Sequence, residues 1–279
     1  MKREARSQDS RLRARVCTGE PQIELSVVIP TYNERENVGC LVSSLEAALA
    51  GIEWQAIFVD DNSPDGTADL LRALATQNRR VYVIERIGRR GLSSACIEGI
   101  SMARTPYVAV MDADLQHDER ILPEMLRRLK SEDVDMVVAS RTIPGGSMGK
   151  FPLPRVWLSN VGRMFTRLVC HCGVSDTMSG FFIIRRDFFQ RVVHKLSGRG
   201  FKLLFDLLAS SGFPVNVVEV PYRFRSRQRG GSKLGATVEL QFLYLLADKV
   251  IHRRMWAHSV HHVVEPTVEK CIGKARIWK

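Results

Sequence analysis

Between residues 25 and 141 the chain repeats one pattern: a short apolar run, a polar turn, then a stretch of helical periodicity. The runs are LSVVIP (25–30), WQAIFVDD (54–61), VYVIER (81–86), YVAVMDAD (107–114) and DMVVASR (135–141). Between them lie RENVGCLVSSLEAALAG, SPDGTADLLRALATQN, GLSSACIEGISMA and ERILPEMLRRLKSE. Apolar strands alternating with amphipathic helices predict an α/β fold, a mostly parallel sheet with helices on both faces. In such sheets ligands bind beyond the carboxyl ends of the strands. Acids recur at those ends: Glu34 after the first run, Asp60 and Asp61 at the second, Asp112 and Asp114 at the fourth.

Continued as a strand, the fourth run turns Asp112, Asp114 and Gln116 to one side. Two carboxylates so close repel unless positive charge lies between them. Mg²⁺ or Mn²⁺, which takes one or two carboxylates plus substrate phosphates, fits that demand. A lone Asp-x-Asp is more often a strand end running into a polar turn; the acids at the other strand ends favour a cation and a phosphorylated ligand. A nucleoside diphosphate also needs cationic side chains. Arg141 ends the fifth run, and Arg223, Arg225, Arg227, Arg229 and Lys233 lie on or beside the glycine-rich stretch RSRQRGGSKLG. A mobile cationic loop closing over a metal diphosphate would exclude water from a transfer site.

At 279 residues and 45% hydrophobic content, the chain suits one large domain or two small ones. Its net charge of +11 sits at the ends: residues 223–279 hold 12 basic residues against 4 acidic, and the first 15 hold 6 against 2. A basic end suits nucleic acid, an anionic membrane surface or a phosphorylated substrate. Nucleic acid is set aside because no aromatic residues interleave the Arg-rich stretch, and it leaves the acids unexplained. Residues 1–22 lack the apolar core of a signal peptide and read as a disordered basic arm. No run approaches the roughly 18 apolar residues of a membrane span. These features predict a cytosolic protein. The six cysteines form no disulfide framework or zinc spacing and read as reduced thiols.

The second half is less regular. TIPGGSMGKFPLPR (142–155) is a loop leading to a helix at 156–169. DTMSGFFIIRRD (176–187) reads as a turn and strand, FKLLFDLLASSG (201–212) as a helix and PVNVVEVPYRF (214–224) as a strand. VELQFLYLLADKVIH (238–252) is a helix with a narrow polar stripe, too short to cross a bilayer. It either packs on the body or lies in a membrane interface.

VVIPTYNERENV, VDDNSPDGTAD, GLSSACIEGI, MDADLQH, SDTMSGFFIIRRD and VPYRFRSRQRGGSKLG together resemble the family 2 glycosyltransferases. Within these they most resemble the dolichyl- (polyprenyl-) phosphate mannose synthases, over residues 24–250. The resemblance implies a GT-A (Rossmann-like) domain at 23–236, then an interfacial helix and basic tail at 237–279. It implies a metal-dependent, inverting hexosyltransferase of protein glycosylation, moving mannose from GDP-mannose to a polyprenyl (dolichyl) phosphate. The enzyme would be peripheral on the cytosolic face of a membrane.

Carried over by motif, the resemblance gives Pro30, Tyr32 and Glu34 the nucleoside, with Val59 and Asp61 continuing that pocket. Asp112 and Ala113 line the donor site. Asp114 and Gln116, with Asp112 beside them, hold Mg²⁺ or Mn²⁺. Arg227 and Lys233 reach the donor diphosphate and count with Asp114 as catalytic. Arg141, Arg155 and Ser159 receive the acceptor phosphate. The implied partners are the nucleotide sugar, the lipid phosphate, a membrane surface and a membrane-anchoring partner subunit, with no nucleic acid. The same chemistry with another donor such as UDP-glucose, or an inactive nucleotide-sugar-binding scaffold, are the other readings. A polysaccharide polymerase is disfavoured, because the Gln-x-x-Arg-Trp motif is absent. Asn62 stands where many relatives have glycine, and Asp118 and Glu119 where prolines are usual.

Overall fold

The computed structural model describes residues 22–147 and 173–226. Among them seven strands form one sheet: β1 (Leu25–Thr31), β2 (Trp54–Asp60), β3 (Val81–Glu85), β4 (Tyr107–Val110), β5 (Met136–Ser140), β6 (Phe182–Arg185) and β7 (Val217–Pro221). Their order is β3-β2-β1-β4-β6-β5-β7. β1 is parallel to β2 and β4, β2 to β3, and β5 to β7. β6 runs antiparallel between β4 and β5. The expected α/β, mostly parallel sheet is therefore present, with one reversed strand inserted.

The pleat explains why every strand reads as continuously apolar. Along β1, Leu25, Val27 and Ile29 enter one cluster and Val28 the other; along β2, Ala56 and Phe58 part from Ile57 and Val59 in the same way. The first cluster is roofed by α1 (Arg35–Ala48), α2 (Thr67–Gln77) and α4 (Leu122–Ser131), through Leu41, Leu45, Leu71, Met125 and Leu129. The second is roofed by α3 (Leu92–Met102), α5 (Arg186–Val192) and α6 (Leu203–Ser210), through Cys96, Ile100, Phe188, Leu204 and Phe205. Each such fully buried side chain contributes about 1.5–3 kcal/mol of burial free energy.

Two expectations change. β4 stops at Val110, so Asp112, Asp114 and Gln116 do not share a side by strand alternation; Leu115, at φ +61°, turns the chain there. Arg186 and Asp187, expected to close the strand of 176–187, instead open a helix to Val192 that buries Phe188, Phe189 and Val192. The basic arm, the helix at 156–169, the Arg-rich stretch from 227 and the segment at 237–279 lie outside the described residues, and with them the proposed domain limits. No helix among the described residues is long and apolar enough to cross a membrane. Of the cysteines described, Cys40 is exposed and Cys96 buried, both as free thiols.

Candidate active site

The carboxyl ends of β1 and β2 are knitted together by short polar side chains. Asp60, fully buried, accepts hydrogen bonds from Thr31 Oγ1 (2.9 Å), Ser63 N (2.8 Å) and Ser63 Oγ (2.6 Å). It is a structural clamp and leaves the set of acids available to a ligand. Ser63 Oγ in turn accepts from Asn33 N, and Thr67 Oγ1 from Glu34 N. Asn62 has φ +55°, so the residue that replaces glycine is one that tolerates the left-handed turn.

Asp61 is used differently. Its Oδ1 accepts from Arg86 Nη1 at 2.9 Å and its Oδ2 from Gly91 N at 2.7 Å. Burial raises its pKa, against the opposing pull of the Gly91 N–H and of Arg86. Arg86 is 2% exposed, and its other contacts are Ser94 Oγ (2.7 Å), the Gly91 carbonyl (3.1 Å) and Glu98 Oε2 (3.4 Å). Beside it, the exposed Arg90 lays its guanidinium 4.7 Å over the Tyr32 ring. Arg86, Arg90, Glu98, Val193 and Leu196 are among the residues lining a cleft of about 600 Å³. Pro30 and Glu34 stand half-buried on the same strand end. Val59 is fully buried, and its Cγ2 would meet a Cβ on Gly99 at 3.0 Å.

Beyond β4 the chain wraps around His117. His117 Nδ1 accepts from Asp112 N (3.1 Å), while its ring stacks on Phe181 (5.1 Å between centroids) and meets Tyr222 and Phe224 edge-on. Burial holds its pKa down to about 4, so the ring is neutral and Nε2 carries the proton. That nitrogen lies 3.7 Å from Asp112 Oδ2. Ala113 is buried in this turn, and Asp114 is 7% exposed, accepting from Gln116 N at 3.2 Å. Burial and then the neighbouring Asp114 charge push the Asp112 carboxyl well above the usual range; Lys202 and Arg141 pull it back.

These residues fit a hard divalent cation. The Asp112 and Asp114 charges oppose each other, and Gln116, whose backbone N–H reaches Asp114 Oδ1, carries an amide oxygen of the kind such a cation takes. Gly180 leaves room over Asp112, where a Cβ would sit 3.3 Å from Oδ2. Among the described residues no group of three His, Cys, Asp or Glu side chains could close a metal site unaided. The set is one that substrate phosphates complete.

Arg141, at the end of β5, is held by Asp176: its Nε donates to Oδ2 at 2.8 Å and its Nη2 to Oδ1 at 2.9 Å. Burial alone would raise the Asp176 pKa, but the hydrogen bonds and charge of Arg141 outweigh it and hold the carboxyl below its ordinary value. The pair fixes the guanidinium plane and leaves three of its five N–H groups. Arg225, expected to neutralise substrate, is instead paired with Asp118 and Glu119 at 2.6 and 2.9 Å. Arg155, Ser159, Arg227 and Lys233 lie outside the described residues.

Sequence reasoning passed over Arg86, Arg90, His117, Asp176 and Lys202 as participants. His117 directly follows Gln116 and Asp176 opens a quoted motif, yet their partners are fixed only by folding: the Arg141–Asp176 contact spans 35 residues.

A parallel sheet edge with acids after β1, β2 and β4, facing basic side chains after β5, is the layout of a nucleotide-sugar transferase. The chain matches Glycosyl transferase family 2 over residues 26–193 and belongs to that family; it is a glycosyltransferase. Its relatives narrow the class. It is 37% identical to a dolichol-phosphate mannosyltransferase of Pyrococcus furiosus over 247 residues, 87% of this chain and 67% of that one. Proteins of the same name from Mycosarcoma maydis (37%, covering 80% and 78%) and Saccharomyces cerevisiae (35%, covering 83% and 88%) are similarly related. Among solved structures, glucosyl-3-phosphoglycerate synthase from Mycobacterium tuberculosis with Mn²⁺, UDP and glucosyl-3-phosphoglycerate shares the fold. Its TM-score is 0.59 at 16% identity, over 82% of this chain and 79% of that one. The same enzyme has been solved with Mg²⁺ and UDP (TM-score 0.55, 18% identity, covering 80% and 78%).

Proposed function

We propose that the chain transfers mannose from GDP-mannose to a polyprenyl phosphate of the dolichol type, working peripherally at the cytosolic face of a membrane. The observation that carries this reading is the charge layout beyond β4. The crowded Asp112–Asp114 pair lies within electrostatic reach of Arg141 and Lys202, an arrangement suited to a cation–diphosphate and a second phosphate. The names of its relatives support mannose as the sugar transferred and a dolichol phosphate as the acceptor.

Asp114 and Gln116, with Asp112, would hold Mg²⁺ or Mn²⁺. When bound, the cation supplies positive charge opposite the negative charge that grows on the leaving diphosphate. Arg227 and Lys233 neutralise the same diphosphate, each such contact lowering the barrier by about 2–4 kcal/mol in a dry site. Arg141, oriented by Asp176, receives the acceptor phosphate together with Arg155 and Ser159. A phosphate monoester is already anionic at neutral pH, so no side chain has to remove a proton from it. Its oxygen attacks the anomeric carbon as the bond to the diphosphate oxygen breaks on the opposite side. That inverts the carbon, giving a β-linked sugar phosphate from an α-linked donor.

On the nucleoside side, Asp61 accepts from the base or ribose while Pro30, Tyr32 and Glu34 flank it. Arg90, seated on Tyr32, offers N–H pairs of the kind that recognise the adjacent O6 and N7 acceptors of guanine. The basic residues of 223–279 and the apolar sequence at 238–252 suit attachment to anionic lipid, alone or with an anchoring subunit.

Displacement of labelled GDP-mannose tests the donor. Half-displacement by GDP at a concentration at least tenfold below that of UDP supports it. The reverse order overturns the named donor and leaves the reaction class standing.

A further inference from the structure

Arg225 joins the loop that presents Gln116 to the chain entering the Arg-rich stretch. Its guanidinium donates to Asp118 Oδ1 at 2.6 Å and to Glu119 Oε2 at 2.9 Å. Its backbone N–H donates to the Gln116 carbonyl at 2.9 Å, and its own carbonyl accepts from Gln116 Nε2 at 3.0 Å. The last contact orients the amide: with Nε2 taken, Oε1 is the atom left for a hard cation. The fork is sheltered, with side-chain exposures of 31% for Arg225, 14% for Asp118 and 8% for Glu119. Solvent therefore screens it less than an open surface pair. It also holds a turn whose neighbouring residue, Leu115, sits in the left-handed region that a leucine disfavours.

We propose that Arg225 is a positioning residue of the cation site, fixing the Gln116 amide. The proposal rests on the reading of Gln116 as a cation ligand given above. The fork that Arg225 makes with Asp118 and Glu119 braces the turn that presents Gln116.

The test is Mn²⁺ affinity in the presence of GDP, followed by the electron paramagnetic resonance signal of free Mn²⁺, on the full chain and with melting temperatures alongside. Wild type is compared with R225A, R225K, D118A/E119A and the triple variant. R225A and D118A/E119A should each weaken Mn²⁺ binding by about tenfold or more, the range found when groups that orient metal ligands are removed. R225K should recover part of the loss, because an ammonium cannot reproduce the fork. The triple variant should be no weaker than R225A, since both changes remove one clamp. Saturating Mn²⁺ should restore most of the R225A transfer rate, which a general loss of structure would not allow. Should R225A fail to fold, D118A/E119A carries the same expectation alone. Mn²⁺ binding within twofold of wild type in the folded variants, or additive losses in the triple variant, overturns the role of Arg225 only. A wild type that binds no Mn²⁺ with GDP overturns the cation site itself.

Discussion

Asp60 and Asp61 are neighbours in sequence with separate employment. Asp60 closes a turn through three hydrogen bonds, whereas Asp61 shares its carboxylate between the buried Arg86 and the pocket edge. Removing Asp61 leaves a guanidinium that is 2% exposed with Glu98, at 3.4 Å, as its remaining carboxylate. Asp61→Ala should therefore lose about 3 kcal/mol of stability in denaturant titration, besides weakening nucleotide binding. Asp114 is proposed to serve the cation, so Asp114→Ala should melt within a few degrees of wild type. The acids proposed to meet substrate were picked out by type and by their recurrence at several strand ends, though one of that set, Asp60, closes a turn. Those that orient them were not. His117 is neutral and caged by Phe181, Tyr222 and Phe224, which reach it from segments far along the chain. Nothing local in QHDER signals that cage.

Among the elements, α3 lies close against the sheet. A Cβ on Gly99 would fall 2.5 Å from Val28 Cγ1 and 3.0 Å from Val59 Cγ2, side chains buried on β1 and β2. Gly99→Ala should cost about 1–3 kcal/mol by overpacking, read as a lower melting temperature, despite the better helix propensity of alanine. The turn before β6 is tied to the end of β5 by Asp176 and Arg141. With its folded pKa held below the ordinary 3.8, Asp176 contributes stability that is present above that value and lost as pH falls through the lower folded value. Asp176→Asn should be less stable at neutral pH and show a shallower loss below about pH 4, measured by urea titration across pH. The alternation of runs and periodic stretches marked the parallel strands and four of the helices by the physics of two-sided burial. It could not mark where β4 ends, since MDAD continues the apolar pattern while Leu115 turns the backbone. Nor could it show β6 entering between β4 and β5, a choice made by pairing across the sheet.

At the scale of the molecule, the sheet gathers its acids at one edge, and the chain keeps its excess of basic residues for its two ends. The acidic edge suits a cation and a nucleotide sugar; the basic C-terminal portion suits lipid phosphate and the surface that carries it. Together they suit the proposed transfer from a water-soluble donor to a lipid acceptor. The most direct measurement is transfer of labelled mannose from GDP-mannose to a phosphorylated polyprenol. It is made with Mn²⁺, with chelator, and with Asp114→Ala. Transfer that needs the lipid phosphate and falls at least about a hundredfold with chelator and in the variant is the predicted result. Undiminished transfer under chelation, or full activity without Asp114, would contradict the account.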